Sequence, residues 1–365
     1  MRICVISEGS SIHTQRYCRD LASTGHEIHL ASPQAVSIHG VTVHVTPFYA
    51  PGVRPRLRTL RRARRILERI APDVYHLYGL FALASLSTML VARSLSPLVI
   101  SLWGTDIMPP GETETWKSRA VKSYLLSRAV EVNAVVGFLA RKAETYMAPD
   151  RKADTVYEGV DLSLWRPRDE PRTDGEVRLG FAKALHSLSG PDFLLSAFAR
   201  AREICPIPFF LWVAGDGPME KELKDQAARL QLGDSVRWLG KIHGTAAMAD
   251  FFRSVDFTAM PSRREGIGMS AVEAQACGLA VTGFATGGLP ETVAHGETGL
   301  LVPTGDVEAL ALAFARLAGD SDLRARMGRA ARVRAQALFS KDRQMENMLA
   351  IYRAVSGRGA APCRS

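Results

Sequence analysis

The sequence predicts an α/β protein built from two parallel-sheet halves, and three observations carry that prediction. The first is length. At 365 residues, 47% hydrophobic and 23% charged, the chain has globular composition but exceeds what one comfortable core holds. The second is rhythm: short β-branched runs alternate with helical stretches in β-loop-α-β order, the pattern of strands joined by crossover helices. The third is a break near Val156-Tyr157-Glu158-Gly159-Val160-Asp161, followed by the polar run Trp165-Arg166-Pro167-Arg168-Asp169-Glu170-Pro171. That run marks a domain junction.

Residues 2–7 read as a first strand, followed by Glu8-Gly9-Ser10-Ser11, a helix to Ser23 closed by Gly25-His26, and a strand over 27–32. Further strands are expected at 72–77, 98–102 and 132–136, then at 177–182, 209–214, 236–239, 257–260 and 280–283. The stretch from Leu80 to Ala92 carries Ser85, Ser87 and Thr88 and reads as a buried helix, too short and polar to span a bilayer. A last amphipathic helix covers 341–355. The expected boundaries are 1–160 for the first domain, 161–340 for the second, 341–357 for a C-terminal helix packing back on the first, and 358–365 for a loose tail. Parallel sheets of this kind bind ligands at the carboxyl ends of their strands. That rule places chemistry at 8–16, 103–106, 183–190, 215–218 and 263–269.

Composition narrows the classes. Met1-Arg2 runs straight into an apolar strand without a cleavage-site pattern, so no signal peptide is expected. Cys4, Cys18, Cys205, Cys277 and Cys363 are odd in number and scattered, without a C-x-x-C pair. This argues for a reducing cytoplasm and against a disulfide scaffold or zinc site. No Asp-x-Asp motif or His/Cys cluster has ligand spacing, so no metal is expected. The net charge of +9 suggests an anionic partner.

The sharpest signal is Pro261-Ser262-Arg263-Arg264-Glu265-Gly266-Ile267-Gly268-Met269-Ser270-Ala271-Val272-Glu273-Ala274-Gln275-Ala276-Cys277-Gly278. A strand ends near Met260, a Gly-bearing loop follows, and a helix runs to Gly278, a suitable C′ residue. Gly266 and Gly268 let a ligand approach the backbone, and the open amides at the helix start, from Ile267 to Met269, are a natural phosphate seat. The plain alternative is a tight turn with Glu273 complementing the helix dipole. Two glutamates separated by seven residues, with the Gly-bearing loop between them, resemble the signature of glycosyltransferase family 4. Ser11-Ile12-His13-Thr14-Gln15-Arg16-Tyr17, Trp103-Gly104-Thr105-Asp106, Gly159-Val160-Asp161, Gly215-Asp216-Gly217-Pro218, Gly287-Gly288-Leu289-Pro290-Glu291 and Gly299-Leu300-Leu301-Val302-Pro303 fall in that family's order. The resemblance covers nearly the whole chain.

The resemblance implies the GT-B fold, two Rossmann-like domains facing across a cleft, and a retaining transferase that uses a nucleotide-sugar donor without a bound metal. It implies front-face displacement, the departing phosphate helping to take the acceptor proton. Glu265 would contact the transferred sugar and Glu273 the nucleotide ribose. Lys183 would meet the diphosphate as its charge grows, with a surface lysine as the plain alternative. Gly9, Arg16, Gly215, Gly266, Ile267, Gly268 and Met269 complete the expected binding set. Asp106 either orients an acceptor hydroxyl or caps its own turn. His13 is a cleft residue or a hydrogen-bonded structural histidine, and Arg16 reaches a ligand or packs on the surface.

Two positions depart from the family pattern. Leu188 stands where a second lysine is usual, with His186, Arg263 or Arg264 as replacements, and Trp103 stands where many relatives have histidine. A catalytically weak partner subunit of another transferase is therefore the alternative function. An epimerase or phosphorylase on the same fold lacks the glutamate spacing.

Arg54, Arg56, Arg58, Arg61, Arg62, Arg64, Arg65 and Arg69 crowd one segment opposed only by Glu68. Leu57, Leu60, Ala63, Leu67 and Ile70 recur at helical spacing, giving a basic amphipathic helix. The expectation is docking of this Arg54–Arg69 segment on the inner face of an anionic membrane carrying a lipid-linked acceptor, against a merely solvated helix. Glycan and small-molecule acceptors stay open. Nucleic acid is not expected, since no aromatic interleaving accompanies the charge.

Overall fold

The computed structural model describes residues 1–46, 57–80, 92–104, 106–108, 114–170, 172 and 174–357, with 57–59 by backbone alone. Most of the stretch read as a buried helix after Leu80 lies outside the described residues, as do Arg54, Arg56 and Thr105. The chain divides into one unit of Met1–Tyr157 with the segment from Asp342 onward, and a second of Glu158–Lys341.

In the first unit the described strands are β1 (Arg2–Ile6), β2 (Glu27–Ser32), β3 (Val41–Val45), β4 (Val74–Tyr78), β5 (Leu98–Leu102), β6 (Glu131–Ala134) and β7 (Asp154–Thr155). They form one sheet in the order β3-β2-β1-β4-β5-β6-β7, with parallel pairing throughout. The second unit has β8 (Val177–Ala182), β9 (Phe209–Ala214), β10 (Val236–Gly240), β11 (Phe257–Met260), β12 (Ala280–Phe284) and β13 (Gly299–Val302). Their order is β10-β9-β8-β11-β12-β13, again all parallel.

Position in the sheet explains strand composition. β4 (VYHLY) and β5 (LVISL) are buried at every residue, as befits central parallel strands covered on both faces. β3, at the edge, is only partly covered. The first unit's core joins Ile3, Val5, Leu30 and Val99 to Met345, Met348, Leu349 and Tyr352 of the helix Lys341–Ser356. The second unit packs Leu179, Phe181, Leu211 and Phe257 against Phe198 and Phe314 of its flanking helices.

Each strand order reverses once, between β1 and β4 in the first unit and between β8 and β11 in the second. Connections leave those neighbours toward opposite faces, which opens a crevice at their carboxyl ends. Two places for ligands follow from topology alone.

Candidate functional site

At the second unit's reversal, β8 ends at Ala182 and β11 at Met260, so Lys183 and the 261–268 loop leave the sheet side by side. Lys183 Nζ forms a close ion pair with Glu265 Oε2. Ser262 closes a ring with them: Lys183 Nζ donates to Ser262 Oγ at 3.1 Å, and Ser262 Oγ donates to Glu265 Oε2 at 3.0 Å. Ser262 is fully buried, and the paired side chains are 16% and 13% exposed, so their charges are poorly screened. Lys183 and Glu265 are thus brought together, and Ser262, to which the sequence alone assigned no role, holds both.

Glycines set this geometry. Gly268 is left-handed (φ 75°) at the start of helix Met269–Ala276, a conformation that favours a residue without Cβ. Ser270 Oγ in the first turn donates to the Ala182 carbonyl at 2.7 Å, tying the helix start to the end of β8. A neighbouring segment clamps the loop at alternate carbonyls. Thr286 Oγ1 donates to Arg263 O (3.2 Å), Gly288 N–H to Glu265 O (3.3 Å) and Thr292 Oγ1 to Ile267 O (2.5 Å). Gly287 lies against the Glu265 backbone so closely that a Cβ would come within 1.9 Å of its carbonyl oxygen.

The remaining candidates of this unit divide. Glu273 is half-buried on the same helix. Gly266 and Met269 flank the loop's exit and are partly open, whereas Ile267 has its side chain in the core and offers a ligand only backbone. Gly215 has a packing reason: a Cβ there would stand 2.0 Å from the Lys183 carbonyl, and its amide donates to Gly240 O at 2.8 Å. It supports the Lys183 loop rather than presenting an amide.

Leu188 sits in the turn Ser187–Ser189, and Arg263 is not the open cation considered as its replacement. The Arg263 guanidinium grips both oxygens of Asp192 (2.7 and 2.5 Å), donates to Ser187 O at 2.7 Å and lies over the Phe193 ring. Arg263 therefore fastens the turn. Asp192, unnoticed in the sequence, has its carboxyl kept low by this pair despite burial. His186 is exposed, with only long contacts of 3.4–3.5 Å to Ser189.

In the first unit, Ser7, Glu8, Ser11, His13, Thr14, Tyr78 and Trp103 line a small cavity of about 170 Å³ at the ends of β1, β4 and β5. The His13 ring lies 4.9 Å from that of Trp103. Burial, helped by the Arg16 charge, lowers the His13 pKa to about 4, so the imidazole is neutral near pH 7. Arg16 itself is half-buried.

Asp106 is the cap of its own turn. Its carboxylate accepts from the amides of Trp103 (3.1 and 3.0 Å), Gly104 (2.7 Å) and Leu80 (3.2 Å), which opposes the upward push of burial on its pKa. With both oxygens so engaged, it shapes the Trp103 turn rather than presenting a base. Gly9 is likewise structural. Its amide donates to Ser32 Oγ, its carbonyl accepts from Gln15 Nε2, and a Cβ would meet Ser32 Oγ at 2.7 Å. Among the described residues no group of three or more His, Cys, Asp or Glu is placed to hold a metal ion, and no helix is long and apolar enough to cross a membrane.

Residues 166–334 match the family described as glycosyl transferases group 1, and residues 2–134 match that described as glycosyl transferase 4-like. The D-inositol 3-phosphate glycosyltransferase of Streptomyces avermitilis is 38% identical over 203 residues, covering 51% of this chain and 43% of the relative. The enzyme of the same name from Segniliparus rotundus is 34% identical over 231 residues, covering 60% and 51%. The chain thus spans about half the length of the curated relatives it matches. Among solved structures, the sucrose-phosphate synthase of Thermosynechococcus elongatus superposes with a TM-score of 0.82 at 20% identity, covering 98% of this chain and 100% of that one. Anabaena Alr3699/HepE, in complex with UDP and glucose, gives 0.77 at 20% identity, covering 97% and 100%. At such identity the likeness is one of fold.

Proposed function

Since the chain belongs to the group 1 glycosyltransferases of the family 4 type, with the GT-B fold, we propose that it transfers a sugar from a nucleoside-diphosphate sugar to a hydroxyl acceptor, with retention at the anomeric carbon. The observation that carries this reading is the Lys183–Ser262–Glu265 ring at the β8/β11 reversal, beside the amides that open helix Met269–Ala276. Lys183 and those amides suit the diphosphate, whose negative charge grows as the sugar leaves. Glu265 suits the sugar hydroxyls and Glu273 the ribose. The UDP and glucose bound by Alr3699/HepE agree with such a donor.

The acceptor is assigned to the first unit's cavity, where Trp103 and Tyr78 supply aromatic lining and His13, neutral at working pH, accepts a hydroxyl hydrogen bond. The relatives' printed names make a polyol an acceptor to try. A lipid-linked acceptor agrees with the exposed arginines of helix Leu57–Ile70. A metal is not part of this reading, and EDTA should leave the transfer rate unchanged.

The test is thermal stability with a panel of nucleoside diphosphates and their sugars. Ligand at ~100 times its Kd stabilises by about 2.7 kcal/mol. One nucleotide should stand out, and Glu273→Ala should reduce its effect. Leu188, with Arg263 committed to Asp192, favours the weak-partner reading as the alternative, and a panel without any shift would select it.

A further inference from the structure

The Lys183–Ser262–Glu265 ring has a property that a donor site does not require. The cation suited to the diphosphate is already neutralised by the carboxylate suited to the sugar. The two charges touch, both are largely shielded, and Ser262 sits in the core with its hydroxyl bridging them. A phosphate arriving at Lys183 meets the Glu265 charge at close range and in a poorly screened setting. Lys183 must then change partner, which leaves the Glu265 carboxylate short of one donor while still mostly buried. An unmet buried charge is costly.

We propose that this ring is a latch opened by the donor's phosphates, and that Ser262 is the positioning residue that makes the exchange workable. When Lys183 turns to the diphosphate, the Ser262 hydroxyl stays on Glu265 Oε2 and holds the carboxylate at its place in the loop. The clamp from Thr286, Gly288 and Thr292 fixes the backbone beneath it. Filling the phosphate seat and freeing Glu265 for the sugar are thereby one event. The latch rests on the donor-site reading above and adds to it a coupling between the two halves of that site. No bond is made or broken; one ion pair is exchanged for another.

The coupling makes an unusual demand on a residue expected to bind substrate: removing its charge should tighten one class of ligand. Binding of the nucleoside diphosphate selected by the stability panel would be measured by calorimetry, and of the matching nucleoside by NMR titration. Wild type, Glu265→Gln, Ser262→Ala and Lys183→Met would be compared, each first shown by circular dichroism and melting to be folded. Glu265→Gln should bind the nucleoside diphosphate roughly tenfold more tightly with nucleoside affinity unchanged. Ser262→Ala should shift the same ratio the opposite way, since Glu265 then keeps neither donor once Lys183 turns to the phosphate, and Lys183→Met should abolish the diphosphate's advantage over the nucleoside. A purely structural role for Ser262 would weaken both ligands alike and leave the ratio fixed. Glu265→Gln binding the diphosphate no better than wild type, with the nucleoside unaffected, overturns the latch while leaving the donor site intact. Failure of wild type and Glu265→Gln alike to bind any nucleoside diphosphate takes down the donor site itself.

Discussion

His76 is sealed inside the first unit with both ring nitrogens engaged, and the surrounding contacts fit one tautomer. Ser101 Oγ donates to Asn133 Oδ1 at 2.7 Å, so it accepts from His76 Nε2–H at 2.7 Å. Nδ1 is then the acceptor for Tyr352 O–H, which in turn accepts from Tyr17, both at 2.6 Å. Tyr352→Phe would strand the His76 nitrogen and the Tyr17 hydroxyl in the core. It should cost about 1–3 kcal/mol for each group so stranded, read by urea denaturation and by faster exchange of the β4 amides. Burial lowers His76 to about 3, as it lowers His13 to about 4. Both are therefore neutral when folded, but take up a proton near pH 6.5 when unfolded. The unfolded chain binds more protons below that point, so stability falls as pH drops from about 6.5 toward 4, at about 1.4 kcal/mol per pH unit for each histidine. Asp161 titrates lower: burial would raise it, but Lys341 and Ser163 hold it at about 2. Urea midpoints at pH 7 and pH 5 check the sign, and equal midpoints would refute it.

The loop 261–268 shows what an element contributes beyond its residues. It is held by the Arg263–Asp192 pair on one side and by the Thr286, Gly288 and Thr292 bonds on the other. Gly287 (φ 57°) packs so close that no side chain fits. Gly287→Ala should displace Glu265 by pushing on its carbonyl, cutting turnover roughly 100-fold while leaving far-UV circular dichroism unchanged. Turnover near wild type would show the clamp to be unimportant. The glutamate spacing, the switch from strand to Gly-bearing loop to helix, and Lys183 after β8 were all legible in the sequence because each is local. Ser262, Asp192 and Thr292 were not, since their roles depend on partners 79, 71 and 25 positions away. Gly9 looked like a ligand group, and Asp106 stayed open between ligand and cap, because capping and binding use the same residue types. The alternation Val41-Thr42-Val43-His44-Val45 was present to be read as β3, whereas β7, with two residues, carries too little pattern to find.

Over the whole molecule, the +9 charge becomes informative only when sorted by what the arginines do. Many are internal caps. Arg151 donates to Leu126 O and Ala129 O, Arg324 to Leu317 O and Ala318 O, Arg332 to Ala276 O and Trp165 O, and Arg334 to Glu291 O and Thr292 O. These charges satisfy carbonyls at helix ends and loops and say little about partners. Helix Leu57–Ile70 is different. Its apolar residues Leu60, Ala63, Leu67 and Ile70 are buried, whereas Arg61, Arg62, Arg64, Arg65 and Arg69 are exposed and Glu68 pairs with Arg64 at 2.6 Å. Since the described apolar stripe of this helix already faces the core, attachment to a membrane through this helix would be electrostatic. The protein should therefore sediment with vesicles containing phosphatidylglycerol at low salt and be released as salt shortens the screening length. At about 1 kcal/mol per basic residue, reversing Arg61, Arg62 and Arg65 to glutamate should abolish sedimentation while sparing nucleotide binding in the second unit. Retention at high salt, or equal binding to neutral phosphatidylcholine vesicles, would mean that something other than this arginine face makes the contact.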